Sequence, residues 1–414
     1  MYPTLFKLPL LPDWLADVKS YGVMMMIAFL SGTWFACRRA SKSQADPDIV
    51  INICFISLVC GIIGSRAMFV LHYWDTHFAI RPNPLLAVFD IRAGGLEFWG
   101  GPLLVIPALM IYLRYVAKVS VRWYLDITMP SLAWGLAITR IGCFLNGCCW
   151  GAVCVDQHDP AHERASVPWA VRFPYGSPAM VQQYKFGQLT LPKELILTHN
   201  SAESAPLPRD WLKEAVEHEG PTRQESLDAK RQADRARAER LAAGADEAEL
   251  KSLKASADKA AAALTAYDQS PAGVVEAQCR TYGLTLDELT QLASHYRSKP
   301  VHPAQLYAVI NGLIISWVLT LIFYRRRRHG VVGAWFLIFY SISRVFLELI
   351  RQDNPLDMAG LTISQAISIG TFSTGVLWLL VVHKLLPERS PRVVPFIPPD
   401  DESPPPVARK QKKR

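Results

Sequence analysis

The 414-residue sequence predicts an all-α, polytopic membrane protein, and three observations carry that prediction. First, apolar residues collect in blocks of about 20, the length that crosses a hydrocarbon core of about 30 Å. Second, the net charge of +8 is clustered beside those blocks, at Arg38-Arg39, from Arg325 to Arg328, and in the tail from Arg409 to Arg414. Third, a polar insert rich in Ala, Glu, Lys and Arg interrupts the apolar pattern and reads as extramembrane helix. Length alone would suit two or three soluble domains, but the block pattern excludes that. Basic clusters next to apolar blocks set orientation and contact anionic lipid, and no nucleic-acid partner is expected.

Seven blocks qualify as transmembrane helices, at 21–37, 50–72, 97–116, 125–146, 303–324, 331–350 and 364–386. Lys/Arg follows every odd-numbered one: Arg38, Arg39 and Lys42; Arg114, Lys118 and Arg122; the four-arginine run; and the tail. The positive-inside rule therefore places the N-terminus outside and the C-terminus in the cytoplasm. The first 20 residues lack a basic stretch leading into an apolar core and cleavage site, so no cleaved leader is expected. The chain divides into 1–179 with four spans, an extracytoplasmic insert at 180–298, 299–386 with three spans, and a basic tail at 387–414. The tail is Pro-rich and charged, a composition that stays disordered.

Within the insert, Thr222 with Glu225 has the spacing of a capping box and opens a helix running to about Gly244. Asp246 with Glu249 starts a second, in which Leu250, Leu253, Ala257, Ala260, Leu264 and Tyr267 alternate three and four apart as a heptad seam. A helical hairpin follows, packed on itself or on a partner. Thr285 with Glu288 starts one more short helix.

Eight cysteines in so long a chain do not make a disulfide scaffold. Cys37, Cys54 and Cys60 lie in or beside apolar blocks and are expected to pack as small hydrophobes. Cys148, Cys149 and Cys154, with His158 and His162, lack the paired spacing of a zinc site, so no metal is expected. A disulfide among the three suits an oxidising compartment better.

Charge inside a span usually faces a bundle interior or a wet cavity. Arg66 lies in the second span, and Arg140 and Asn146 near the outer end of the fourth. Arg344, Glu348 and Arg351, spaced four and three, share one face of the sixth, with Tyr340 on the same side. His302, Gln305 and Tyr307 open the fifth. Each could be a simple brace, or an arginine snorkelling to headgroups. Together they place more arginine than carboxylate around one outward-opening cavity. Such a cavity wants an anion, and guanidinium binds phosphate oxygens bidentately. Gly94-Gly95 and Gly100-Gly101 flank Leu96-Glu97-Phe98-Trp99, and Gly142, Gly147 and Gly151 recur around the end of the fourth span. Glycines there allow close packing of helices or close approach to a ligand.

These residues resemble a known family, the prolipoprotein diacylglyceryl transferases of bacterial membranes. The run Arg140-Ile141-Gly142-Cys143-Phe144-Leu145-Asn146-Gly147-Cys148-Cys149-Trp150-Gly151 looks like the family signature of Arg, Gly, Phe, Asn-Gly and Trp-Gly. Ser20-Tyr21-Gly22, Gly64-Ser65-Arg66, Gly94 to Gly101, Pro168 to Pro174, His302-Pro303-Ala304-Gln305-Leu306-Tyr307, and Arg344 through Glu348 to Arg351-Gln352 resemble further family motifs in the family's order.

The resemblance implies an enzyme of the bacterial inner membrane, with its active site open towards the outer leaflet and no cofactor. It would take the diacylglyceryl group from phosphatidylglycerol and attach it to the lipobox cysteine thiol of a preprolipoprotein signal peptide. The products are a thioether and glycerol phosphate, at the first step of lipoprotein maturation. By the same resemblance Arg140 binds the lipid phosphate, and Arg344 with Glu348 forms a second essential pair. Tyr21, Asn146, Gly151, Arg66, Gly100, Gly101, Tyr340 and Arg351 would line the substrate site.

The sequence departs from the family pattern at Trp99, where many members have His, a favoured thiol base. Cys143 and Cys148 replace common Asn and Glu, and Ala152 a common Arg. The base is then His302 or Glu348, or the donor's own phosphate environment activates the thiol. Two rivals predict different behaviour. An anion transporter would show repeated halves, which the block pattern lacks. A lipid or signal-peptide receptor would bind phosphatidylglycerol without turnover.

Overall fold

The computed structural model describes residues 4–7, 17–79, 83–89, 95–155, 165–199, 203–218, 220–243, 246–350 and 362–390. Gly94, His158, His162, Arg351 and the tail beyond residue 390 lie outside the described residues. In chain order, β1 (Thr4–Lys7) pairs antiparallel with β2 (Asp17–Lys19). The helices α1 (Ser20–Lys42), α2 (Pro47–His72), α3 (Pro84–Phe89), α4 (Gly100–Ile111) and α5 (Val121–Asn146) follow. Next come α6 (Pro178–Lys185), the hairpin of β3 (Ile196–His199) and β4 (Glu203–Pro206), and α7 (Arg209–Val216). The chain continues through α8 (Arg223–Ala242), α9 (Glu247–Gln269), α10 (Pro271–Tyr282) and α11 (Leu286–His295). It closes with α12 (Ala304–Arg325), α13 (Val331–Ile350) and α14 (Ile363–Lys384).

Six of these helices, α1, α2, α5, α12, α13 and α14, are long and apolar enough to cross a membrane. The expected third span is shorter. Gly100–Val116 is helical, its last turn, Tyr112–Val116, widened to π-helix. The block loses its first residues because Gly95 adopts a left-handed φ of 78° and the Glu97 amide donates to the Ser65 carbonyl at 3.0 Å. That bond ties the chain to α2 before a helix can start.

The chain forms two compact units, Asn146–Pro303 and the remainder, Tyr2–Leu145 with Ala304–Arg414. In the larger unit, large apolar side chains such as Leu30, Phe55, Ile106 and Trp317 are exposed along the long helices. So much exposed apolar side chain exceeds what a soluble monomer carries and is the surface a bilayer covers. A core of Trp123, Tyr124, Ile127, Leu319, Phe323 and Phe336 fills the end of this unit where α5 begins. Polar cross-links pin the helices there. Arg39 of α1 donates to the Ile127 carbonyl at 2.6 Å and to Ser131 Oγ at 3.1 Å. Ser316 Oγ of α12 donates to the Pro130 carbonyl at 2.7 Å.

Asp126 is the central anchor. Its carboxylate is fully buried, pairs with Arg326 Nε at 2.8 Å, and accepts the amides of Gly330, Val332 and Gly333 at 2.7, 3.0 and 3.2 Å. A carboxylate on the free amides opening α13 satisfies donors that no helical carbonyl can reach.

The smaller unit has its own core of Tyr175, Met180, Leu195, Leu207, Val275 and Leu289. It begins earlier in the chain than the composition shift at 180. The segments at residues 151–154 and 171–174 pair through backbone with 297–302: Cys154 donates to Pro300, and Val171 and Val301 exchange bonds at 3.1 and 3.0 Å. The hairpin forms as its caps dictate. Thr222 and Glu225 make a complete capping box at α8, Asp246 caps α9, and Thr285 with Glu288 caps α11. The expected seam packs on its own hairpin, with Ala257 and Leu264 buried.

Candidate functional site

The polar network of the larger unit gathers on α13. Arg344 and Glu348 face the same side one turn apart, with Nη2 3.3 Å from Oε2, an ionic contact whose carboxylate end is buried. The start of α14 completes it. Arg344 Nε donates to Ser364 Oγ at 2.7 Å, and Thr362 Oγ1 donates to Glu348 Oε1 at 3.2 Å. Thr362 is itself the N-cap of α14 in a capping box with Gln365. The same residues thus start the helix and fix the ion pair. One residue before Arg344, Ser343 Oγ accepts a hydrogen bond from Asn311 Nδ2 of α12. Tyr340, one turn earlier, stacks on Phe336 with ring centroids 5.7 Å apart.

Arg140 sits on α5, half-buried, and makes no hydrogen bond or ion pair among the described residues. Helices α5 and α12 run antiparallel: Pro130 meets Ser316, and a Cβ added to Gly312 would lie 2.9 Å from Ala137 Cβ. Arg140 is one turn beyond Ala137, so it stands level with the first turns of α12. The neighbouring Gly142 is held against α1, where an added Cβ would lie 3.2 Å from Tyr21 Cδ2 and 3.1 Å from Met24 Cβ. Tyr21 thus packs beside the signature helix two residues from Arg140. An arginine with its donors uncommitted, on an apolar helix, is a ready site for a bidentate anion.

Three predicted residues belong to the smaller unit. Asn146 ends α5, and Gly147, with a φ of 77°, turns the chain out of the helix. The Gly151 amide donates to the His302 carbonyl at 2.9 Å, and the His302 amide donates to the Ala152 carbonyl at 3.0 Å. Two sequence motifs about 150 residues apart are therefore joined backbone to backbone, a pairing that no local pattern foretells. No disulfide joins any of the cysteines among the described residues, so the bridge expected among Cys148, Cys149 and Cys154 is not formed. Cys154 is buried in this backbone pairing. Burial pushes its thiol pKa up, outweighing the Ser166 hydrogen bond that lowers it, and such a thiol is inert.

Arg66 and the paired glycines serve packing. Arg66 is buried and donates to the carbonyls of Val88, Gly95 and Ala87 at 2.8, 3.0 and 2.8 Å, and it lies over the Phe69 and Phe78 rings. Two of those carbonyls end α3, where a cation also meets the negative end of the helix. At Gly100 an added Cβ would run into the Gly64 carbonyl, and at Gly64 into the Gly100 carbonyl. This is a backbone-to-backbone helix crossing of the small-residue kind. Gly101 lies beside Ser65 in the same crossing.

Asp126, Asn311, Ser343, Thr362 and Ser364 were not among the predicted site residues. Asp126 and Asn311 stand inside apolar blocks, which is the signal that marked Arg140. Thr362 and Gln365 carry capping-box spacing.

The family model described as prolipoprotein diacylglyceryl transferase matches residues 9–224 and 231–381. The chain is 36% identical over 164 residues to a protein of Pseudoalteromonas translucida, covering 39% of this chain and 56% of that one. It is 34% identical over 163 residues to one of Aliivibrio fischeri, covering 39% and 53%, and 28% identical over 176 residues to one of Rhodopirellula baltica, covering 42% and 33%. All three are named phosphatidylglycerol–prolipoprotein diacylglyceryl transferase. The chain spans about half the length of the first two. With the family model matched over most of its length, and its motifs set on an apolar helical frame, the chain belongs to the prolipoprotein diacylglyceryl transferase family.

Proposed function

We propose that the chain transfers the diacylglyceryl group of phosphatidylglycerol to the lipobox cysteine of preprolipoproteins. The observation that supports this reading is that one apolar helical frame carries both Arg140, with no hydrogen bond or ion pair among the described residues, and a fixed Arg344–Glu348 pair. The thiolate sulfur attacks the glycerol carbon that bears the phosphate. The carbon–sulfur bond forms, the carbon–oxygen bond breaks, and the electron pair leaves with glycerol phosphate. The thiol proton is balanced by the phosphate monoester released. Thiolate is the reactive form of a cysteine whose unperturbed pKa is about 8.5.

Arg140 takes the donor phosphate and stabilises the charge that grows on it as the bond breaks. The Arg344–Glu348 pair, buried at its carboxylate end, holds α13 and α14 in register beside the donor, with Tyr340 and Tyr21 on the walls. Asn146 and Gly151 belong to the substrate-binding set. Arg66, Gly100 and Gly101 act indirectly, by fixing the loop and helix crossing next to the donor. His302 and Glu348 remain the two candidate thiol bases in place of Trp99. The enzyme works in the bacterial inner membrane with the N-terminus outside, and the cavity opens to the outer leaflet. The insert hairpin is accessory.

The test is direct. Purified protein is incubated with phosphatidylglycerol and a lipobox peptide, and the diacylglyceryl thioether is sought by mass spectrometry. Product that requires Arg140 supports the assignment. A folded, phosphatidylglycerol-binding preparation that forms no adduct overturns it and leaves a receptor.

A further inference from the structure

A second basic site lies at the other end of the same helices. A cleft of about 630 Å³ is framed by the last turns of α12, the turn 326–330 and the end of α14. Asp126 pairs with Arg326 in this turn, and Arg140 lies 14 residues further along α5. At 1.5 Å per residue the two sites are about 21 Å apart along that helix.

The charge balance of the cleft is unequal. Arg326 is neutralised by Asp126 at 2.8 Å, and Arg328 pairs with Glu388 at 3.2 Å while donating to the Val382 and Leu386 carbonyls. Arg325 and Arg327 also line the cleft, are exposed, and make no hydrogen bond or ion pair among the described residues. Glu388 is thus the cleft's own carboxylate and is already matched. The positive field is felt outside the cleft: His329, in the same turn, has its pKa pushed down to about 4 by burial and then by Arg326, Arg122 and Arg389. Below the arginines the wall is apolar, formed by Val318, Leu321 and Ile322.

Two uncommitted cations over an apolar wall at the end of membrane-spanning helices match an amphiphile, not a free anion. We propose that this cleft binds an anionic phospholipid, with its phosphate between Arg325 and Arg327 and an acyl chain along Val318, Leu321 and Ile322. In the orientation proposed above, this lipid comes from the cytoplasmic leaflet and is separate from the donor at Arg140. Guanidinium geometry favours the phosphate, and basic residues at a membrane surface select anionic lipid.

The full chain in phosphatidylcholine nanodiscs doped with phosphatidic acid tests this, because phosphatidic acid lacks the glycerol headgroup of the proposed donor. Bound phosphatidic acid is counted by native mass spectrometry, with R140Q present throughout to silence the donor site. R325Q/R327Q should weaken retention roughly 30-fold, the loss expected for two interfacial arginines. Arg326 and Arg328 keep their partners in that variant, so its melting temperature should be unchanged. Equal retention overturns the proposal, and so does displacement of the lipid by inorganic phosphate, which would make this a free-anion site. Should the double variant melt early, a diazirine-bearing phosphatidic acid is crosslinked to the unmodified protein. Adducts on the peptide holding Val318 to Ile322 support the site, and adducts confined to the region of Arg140 overturn it.

Discussion

Arg344 and Glu348 close an ion pair across one turn of α13, and the Arg344 Nε bond to Ser364 at 2.7 Å carries that pair to the next helix. The guanidinium is used at two nitrogens at once, Nη2 and Nε. Lysine offers one charge centre and cannot reproduce that fork. R344K should therefore keep most of the stability but lose at least about tenfold in product formation through misplacement. R344A takes the cationic partner from a buried carboxylate, which costs about 3–5 kcal/mol. Thermal unfolding in detergent, run beside the adduct assay, separates the two. A lysine variant with full activity would show that charge alone matters there.

Arg140 makes the opposite prediction. With no bond among the described residues to lose, R140A should change stability by less than about 0.5 kcal/mol. The melting temperature should move by no more than about 2 °C, while product disappears and phosphatidylglycerol binding weakens. A large drop in melting temperature would mean that Arg140 braces the fold instead of serving the donor.

The glycines of the α2–α4 crossing separate by what each would strike. At Gly100 a new Cβ meets the Gly64 backbone and Met68 Cβ, at 2.6 Å, and backbone cannot swing aside. G100A should cost about 1–3 kcal/mol, the usual range for overpacking, or more. At Gly101 the nearest atom is Ser65 Oγ at 3.0 Å, which can rotate away. G101A should melt close to the parent protein. Equal losses at the two positions would contradict a crossing held by Gly64 and Gly100.

Much of this was legible in the sequence because it follows from local pattern. The apolar blocks gave the long helices, and Thr222, Asp246 and Thr285 announced the helices of the insert. The spacing of Arg344 and Glu348 put them on one face. What stayed hidden depends on long-range pairing. Nothing local says that Gly151 bonds to His302, or that Arg66 spends its donors on the carbonyls of Ala87, Val88 and Gly95. Counting polar residues in spans gave Arg66 and Arg140 equal weight, and only the partners distinguish them. The helix of the third apolar block starts at Gly100, three residues after the block begins, because Gly95 and the Glu97–Ser65 bond hold the chain against α2 first.

His329 gives the fold a pH dependence with a defined sign. It lies in the turn between α12 and α13, half-buried, and stacks on Trp123 at 6.0 Å. Burial, followed by Arg326, Arg122 and Arg389, pushes its pKa down to about 4. The unfolded chain takes up this proton near pH 6.5, so between those values it binds more protons than the folded chain. Stability should thus fall as pH drops from about 6.5 towards 4 and stay flat above about 7. Since the ring is partly solvated, the loss is discounted to about 1–2 kcal/mol. Melting curves at about pH 5 and pH 7.5 should diverge less for H329Q than for the parent. An identical pH slope in both proteins would assign the effect to another group.

The insert hairpin should be removable. Its two helices pack on each other, and Arg223 Nε meets Asp268 Oδ1 at 2.7 Å across its base. The core of the smaller unit is built from residues before α8 and after α9, such as Leu195, Leu212, Val275 and Leu289. Replacing 225–266 by a short Gly/Ser loop therefore spans a small gap, and the entropy of closing a short loop changes little with its length. Tyr267 should be kept, because its hydroxyl donates to Glu276 Oε2 at 2.8 Å and ties α9 to α10. The shortened protein should melt like the parent and turn over a short lipobox peptide within about twofold, the scale of a loop-closure term. If turnover of the short peptide is abolished while the melt is unchanged, the hairpin handles substrate and is no accessory. If only full-length preprolipoprotein is affected, the hairpin meets the part of the substrate beyond its signal peptide.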